Sequence, residues 1–134
     1  MKIILCGACG RMGKNVAETA AERNVTIAAG VDVIAAPSPF PLYSNLADVT
    51  EQADAVVDFS SASALESVLA FCEGRAIPVV LAATGYMEKD LARIRKASET
   101  IAVFKTGNLS VGINLLQYLA KKSAEILGDA FDAE

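Results

Sequence analysis

A short apolar run, Lys2-Ile3-Ile4-Leu5-Cys6, leads straight into three glycines spaced three apart, Gly7, Gly10 and Gly13. A helical pattern begins at once behind them. Met12, Val16, Ala17 and Ala20 recur on one face, while Lys14, Glu18 and Glu22 point elsewhere. The pattern describes a buried strand that turns sharply and hands over to a helix. Glycines in such a turn let the backbone approach a large anionic group. That group would sit on the helix N-terminus, where free N–H groups and the positive end of the macrodipole favour phosphate. A glycine pattern alone is weak, and its context decides.

The context is alternation. After Asn24 ends the helix, a second apolar, β-branched run covers 25–31. Pro37, Pro39 and Pro41 make 35–45 a loop, followed by a short helical turn near 45–49. A strand is expected over 55–59 and a polar break over 60–63. Ser63 and Glu66 have the spacing of a capping box opening a helix that runs through Cys72 and closes at Gly74. A strand over 77–81, an amphipathic helix over 87–98 and a strand over 101–105 follow. A turn at 106–108 leads into a long helix over 110–127, with Gly128 as its C-cap. Strict βα alternation yields parallel strands with right-handed crossovers, so the expected architecture is α/β, a doubly wound parallel sheet of the Rossmann-like kind. At 134 residues the chain is expected to be one dinucleotide-binding domain, 1–134.

Composition narrows the partners. The chain carries a net charge of −4 and no basic block, which disfavours nucleic acid and anionic membrane surfaces. No apolar run reaches the length of a membrane span and the N-terminus does not read as a signal peptide, so the expected location is the cytoplasm. The three cysteines, an odd number, give no disulfide framework. Cys6 and Cys9 form a C-x-x-C, but the chain has no second such pair and no histidine. They read as two small residues of a strand end and a glycine turn, with no metal site expected; Cys72 reads as core.

In a doubly wound sheet, ligands bind at the carboxyl ends of the strands. Asp32 ends the second strand, where a dinucleotide fold places an acid that accepts hydrogen bonds from ribose. The alternative is a strand-terminal Asp that caps its own turn. A carboxylate there repels a 2′-phosphate, and Val33 rather than a basic residue follows it, so NADH is expected over NADPH. Phe59, at another strand end, is a candidate to pack on the cofactor, with a core or rim role as the alternative. The remaining strand ends offer Gly, Thr, Ser and Asn without a charged catalytic group.

These residues resemble a known family. Gly7-Ala8-Cys9-Gly10-Arg11-Met12-Gly13 is similar to the G-A-x-G-R-M-G opening of 4-hydroxy-tetrahydrodipicolinate reductase (dihydrodipicolinate reductase), an enzyme of lysine and diaminopimelate biosynthesis. Val57-Asp58-Phe59-Ser60 resembles its I-D-F-T, and Ala82-Ala83-Thr84-Gly85 stands where the family has G-T-T-G. Asn108-Leu109-Ser110-Val111-Gly112-Ile113-Asn114 resembles N-F-S-V-G-V-N. The departures are Ala82, Ala83, Leu109 and Ser60.

The resemblance implies a reductase that passes hydride from NAD(P)H to a cyclic unsaturated dicarboxylate. It implies that the turn Gly7, Ala8, Cys9, Gly10, Arg11, Met12 and Gly13 holds the pyrophosphate and Asp32 the adenosine ribose. Ala82, Ala83 and Thr84, with Thr106, Gly107, Asn108 and Leu109, would line the nicotinamide end. For Arg11 the alternative is an exposed residue at a helix start. In the family a second domain bearing a histidine pair, a lysine and a P-S-G-T segment binds the substrate and supplies a proton. This chain has no histidine and ends at Glu134, so that substrate domain is expected to be absent, with cofactor binding but no turnover and no catalytic residue of its own. The stretch 128–134 looks like the run-up to that domain. The family assembles as homotetramers through it, which leaves a monomer or weak dimer here. Two other readings stand beside this one: the cofactor half of another amino-acid dehydrogenase, and a free-standing module sensing nucleotide or redox state.

Overall fold

The first apolar run becomes the strand around which the sheet is built. The structure is a computed structural model that describes residues 1–128. Six strands, β1 (Lys2–Cys6), β2 (Thr26–Val31), β3 (Leu42–Tyr43), β4 (Ala55–Asp58), β5 (Val79–Leu81) and β6 (Val103–Lys105), form one parallel sheet in the order β3-β2-β1-β4-β5-β6. The register brings the strand ends level: Cys6 pairs with Val31 and Asp58, Asp58 with Leu81, and Leu81 with Lys105. Strand order reverses between β1 and β4, and a doubly wound sheet opens its ligand crevice at such a point.

Four helices accompany the strands: α1 (Arg11–Glu22), α2 (Leu65–Arg75), α3 (Glu88–Ala97) and α4 (Val111–Leu127). Alternate residues of each strand face opposite sides. Ile4, Cys6, Val56, Val79 and Leu81 pack against Leu65, Val68, Leu69 and Cys72 of α2 and Ile94 and Ala97 of α3. Ile3 and Leu5, both buried, alternate to the other face, where α1 lies. Toward β6 that face opens, with Phe104 58% exposed. Every residue of α4 is exposed, including Leu115, Leu116 and Leu119. Among the described residues no helix is long and apolar enough to cross a membrane.

The doubly wound reading is borne out, and several local expectations are corrected. The segment 35–45 contains β3, a two-residue strand that β2 recruits through Gly30 and Val31. The turn near 45–49 is a short 3-10 helix, Leu46–Asp48, whose start is capped by the Asn45 side chain accepting Ala47 N–H at 3.0 Å. Ser63 and Glu66 form no capping box. Ser63 Oγ lies 2.8 Å from Ser61 Oγ, and Glu66 is drawn to Arg93 at 2.9 Å. Nor does Gly74 close α2, which continues to Arg75 and ends at Ala76 in the left-handed region, φ +52°. Arg75 explains the extension. Its guanidinium donates to the Val49 and Glu51 carbonyls and stacks 4.2 Å above the Phe71 ring, which requires helical backbone at 75.

Two strands start later than the sequence suggests. Ile77 N–H still bonds Cys72 O and Ile101 N–H still bonds Ala97 O, so both residues belong to helix endings. On α1 the buried residues are Gly13 and Ala20, with Val16 and Ala17 half-buried. Met12 is 46% exposed rather than part of the covered face. The closing stretch after Gly128 lies outside the described residues.

Candidate functional site

The site begins where β1 ends. Gly7 adopts φ +75°, and its amide and that of Ala8 both reach Val31 O, at 2.8 and 3.3 Å. A Cβ at Gly7 would meet Phe59 O at 2.7 Å and Ser60 N at 2.9 Å, so the turn is seated directly against the exit of β4. A Cβ at Gly13 would strike Gly7 O and, at 2.6 Å, Ala8 O. Only glycine lets α1 start this close to the strand. Gly10 is the N-cap of α1, and the first turn holds no acidic side chain. The amides of that turn have no carbonyl upstream to accept them, which leaves donors and a positive dipole end for an anion.

Asp32 closes the other side. Its Oδ2 accepts Cys9 N–H at 2.8 Å and its Oδ1 accepts Ile34 N–H at 3.0 Å. Of the two readings of this residue, the geometry shows the cap: the carboxylate caps its own turn and also braces the glycine turn. Each oxygen keeps acceptor capacity for a further donor. The Cys9 thiol reaches Ile34 O at 3.3 Å, a second tie between the same two loops.

Between these loops lies a cleft of about 460 Å³. Of the residues singled out from sequence, Gly7, Gly10, Asp32 and Phe59 line it. A second cleft of about 340 Å³ gathers Met12, Phe59, Ala82, Thr106, Gly107, Asn108 and Leu109, so Phe59 stands between the two. Ala8, Cys9, Arg11, Gly13, Ala83 and Thr84 line neither. Ala8 and Ala83 are buried, and Gly13 faces the turn it packs on. The larger cleft also takes Ser60, Ser61 and Ser63 of the strand-end stretch after β4, together with Asn45, Leu46 and Ser67, which sequence reasoning did not single out. The helix-start signal at Asn45 and the polar break at 60–63 were the available pointers.

The loop behind the second cleft is held by its own polar groups. Thr106 Oγ1 donates to Asn108 O at 2.9 Å and accepts Asn108 N–H at 3.2 Å, while Asn108 Oδ1 accepts Ser110 N–H at 2.9 Å. Ser110 then caps α4 by accepting Ile113 N–H. No titratable side chain lines this cleft, and no lysine or arginine lines the larger one.

The cysteines are free and differently placed. Burial pushes the Cys6 thiol far up and the Cys72 thiol up to about 12, and burial with the nearby Asp32 carboxylate raises Cys9. All three are thiols rather than thiolates at neutral pH.

Comparison with known proteins places this architecture. The family model described as dihydrodipicolinate reductase, N-terminus, matches residues 1–109. The 4-hydroxy-tetrahydrodipicolinate reductase of Caldanaerobacter subterraneus subsp. tengcongensis is 42% identical over 135 aligned positions, covering all of this chain and 53% of that protein. The namesake from Clostridium perfringens (strain ATCC 13124) is 40% identical, covering all of this chain and 54% of its own length. Among solved structures, dipicolinate-bound dihydrodipicolinate reductase from Paenisporosarcina sp. TG-14 superposes with a TM-score of 0.78 at 19% identity, over 92% of this chain and 53% of that one. Homoserine dehydrogenase from S. aureus shares the fold at a TM-score of 0.68 and 14% identity, over 78% of this chain and 31% of its own. The chain spans about half the length of the curated relatives it matches. With the family model covering most of its length, this chain belongs to the family of dihydrodipicolinate reductase N-terminal domains.

Proposed function

We propose that residues 1–134 are the dinucleotide-binding domain of a 4-hydroxy-tetrahydrodipicolinate reductase, with NADH the preferred form. One observation carries the reading. At the point where strand order reverses, a helix start free of acidic residues and the Asp32 carboxylate face the same cleft. In this reading the turn from Gly7 to Gly13 receives the pyrophosphate and Asp32 the adenosine ribose. The second cleft, at the ends of β5 and β6, receives the nicotinamide. Phe59 separates the two halves. A 2′-phosphate beside Asp32 would meet a carboxylate and no lining cation, which favours NADH.

The bound dinucleotide supplies hydride. Reduction of a cyclic dicarboxylate also needs a proton donor and groups that hold two carboxylates. The second cleft offers neither, and the chain has no histidine. Residues 1–134 alone therefore bind cofactor without turnover. Titration with NADH and NADPH, followed by nicotinamide fluorescence or calorimetry, tests the binding. Equal or tighter binding of NADPH would overturn the preference. NADH oxidation by this chain with the dicarboxylate substrate would overturn the claim of no turnover.

A further inference from the structure

Asp58, at the end of β4, has no part in either cleft, yet among the described residues it is the one fully buried charged side chain. Its Oδ1 accepts both Ser60 N–H, at 2.9 Å, and Ser60 Oγ–H, at 2.5 Å. Its Oδ2 is buried without a hydrogen-bond partner, as is the Tyr86 hydroxyl from the loop before α3. The two groups adjoin, each acting on the other's ionisation, although they stop short of hydrogen-bond geometry. Cys6 of β1 and Cys72 of α2 lie near enough for the carboxyl to raise their thiols, and no cation acts on it among the described residues.

A carboxyl buried without an ionic partner costs the fold stability. What it provides is an acceptor for Ser60 where two loops meet. Ser60 lines the larger cleft, and its nitrogen is among the atoms that leave no room for a side chain on Gly7. The Asp58 carbonyl meanwhile takes Ala82 N–H at 2.9 Å, at the edge of the second cleft. One residue thus touches the entry to both halves of the site.

We propose that Asp58 is a positioning residue of the dinucleotide site. Its buried carboxyl fixes the Phe59–Ser60 exit against the glycine turn, with the Tyr86 hydroxyl next to the carboxyl's unpaired oxygen. This rests on the cofactor reading given above.

The test is NADH titration of Asp58→Asn, Asp58→Ala, Ser60→Ala and Tyr86→Phe, each with its melting curve. Asp58→Asn keeps an acceptor for Ser60 and offers an amide to Tyr86, so its Kd stays within about threefold of the wild type. Asp58→Ala leaves the Ser60 amide unpaired and raises Kd at least about tenfold in folded protein. A merely structural role would lower the melting temperature of Asp58→Ala and leave the Kd of the folded fraction unchanged. That result overturns the proposal, as does an Asp58→Asn variant as weak as Asp58→Ala.

If Asp58→Ala does not fold, Ser60→Ala and Tyr86→Phe decide. A Kd raised about two- to fivefold in Ser60→Ala supports the proposal, and unchanged values in both variants overturn it. Should the wild type bind neither dinucleotide, the cofactor reading itself fails. Positioning is then read from amide exchange. Faster exchange at Gly7 and Ser60 in Ser60→Ala, with Leu69 unchanged, supports it; unchanged protection overturns it.

Discussion

The Asp32 carboxylate ties the end of β2 to the glycine turn, accepting Cys9 N–H at 2.8 Å through one oxygen and Ile34 N–H at 3.0 Å through the other. A residue expected to face the ligand therefore also shapes the loop that faces it. Asp32→Ala should lose both effects. Charge-assisted hydrogen bonds are worth about 1.5–3 kcal/mol each, so NADH affinity should fall at least about tenfold. Removing the carboxylate also removes its repulsion of a 2′-phosphate, so the ratio of NADPH to NADH affinity should rise. Parallel titrations of the variant with both dinucleotides measure the two effects; an unchanged ratio would count against the ribose role.

The glycines differ in what they tolerate. Gly13→Ala places a methyl against Gly7 O and Ala8 O, and nothing there is a flexible side chain that can give way. Forcing α1 away from β1 should cost about 1–3 kcal/mol, several degrees of melting temperature. Gly74→Ala sits in the exposed last turn of α2 with open space around it and should stabilise by up to about 0.5 kcal/mol. Thermal melts of both variants check the opposite signs.

Arg93 joins α3 to α2. Its Nη1 and Nη2 donate to the two oxygens of Glu73 at 3.1 and 2.6 Å, and its Nε donates to Glu66 at 2.9 Å. The hydrogen bond from Arg93 holds the Glu73 carboxyl below the usual glutamate range. A depressed folded-state pKa contributes stability above the unfolded value, and that stability is lost as pH falls through the folded value. The melting-temperature gap between the wild type and Arg93→Met should therefore be present at neutral pH and close as pH falls below about 4.5. Added salt should narrow it as well. A gap that widens in acid would contradict this assignment.

Asp58 titrates with the opposite sign. Burial raises its carboxyl above the ordinary aspartate value, against the lowering effect of the Ser60 hydrogen bonds. The folded state then keeps a proton that the unfolded state has released, so stability falls as pH rises from about 4. Asp58→Asn has no charge to bury. Its melting temperature should exceed that of the wild type by a margin that grows with pH through the folded-state pKa and then levels. Melts across that range read the margin directly.

Helix α4 and the core should respond differently to truncation and charge. Leu116→Glu with Leu119→Glu changes exposed positions, so the melting temperature should move by no more than about 1 °C. Exposed apolar stripes favour association, so sedimentation should show less self-association in this variant. Leu69→Ala, at a fully buried position of α2 facing the sheet, should cost about 2–5 kcal/mol.

What the sequence could and could not show follows from the range of the interactions involved. The glycine turn, the strands ending at Cys6 and Val31, and the cap at Asn45 are local, written in backbone sterics and alternation within a few residues. So was the parallel sheet, because apolar β-branched runs separated by helical patterns admit little else. Strand β3 was not legible: Leu42 and Tyr43 lie just past a proline-rich loop and become a strand only because β2 presents an open edge to them. The capping box failed for a similar reason. Arg93, far along the chain, outbid the local backbone for Glu66, and Arg75 carried α2 past Gly74 to reach the Val49 and Glu51 carbonyls.

The sequence by itself determined that a strand, a glycine turn and a helix start would meet an acidic strand end. Hydrophobic periodicity and glycine sterics act within a dozen residues, and the chain carries them in plain order. Only the tertiary structure decided that Asp32 would brace Cys9, that Phe59 would stand between two clefts, and that Asp58 would be buried beneath Ser60. Those relations depend on which strands become neighbours and on the level at which their ends line up. Pairing and register are set by the packing of the whole sheet, which no local stretch of residues encodes.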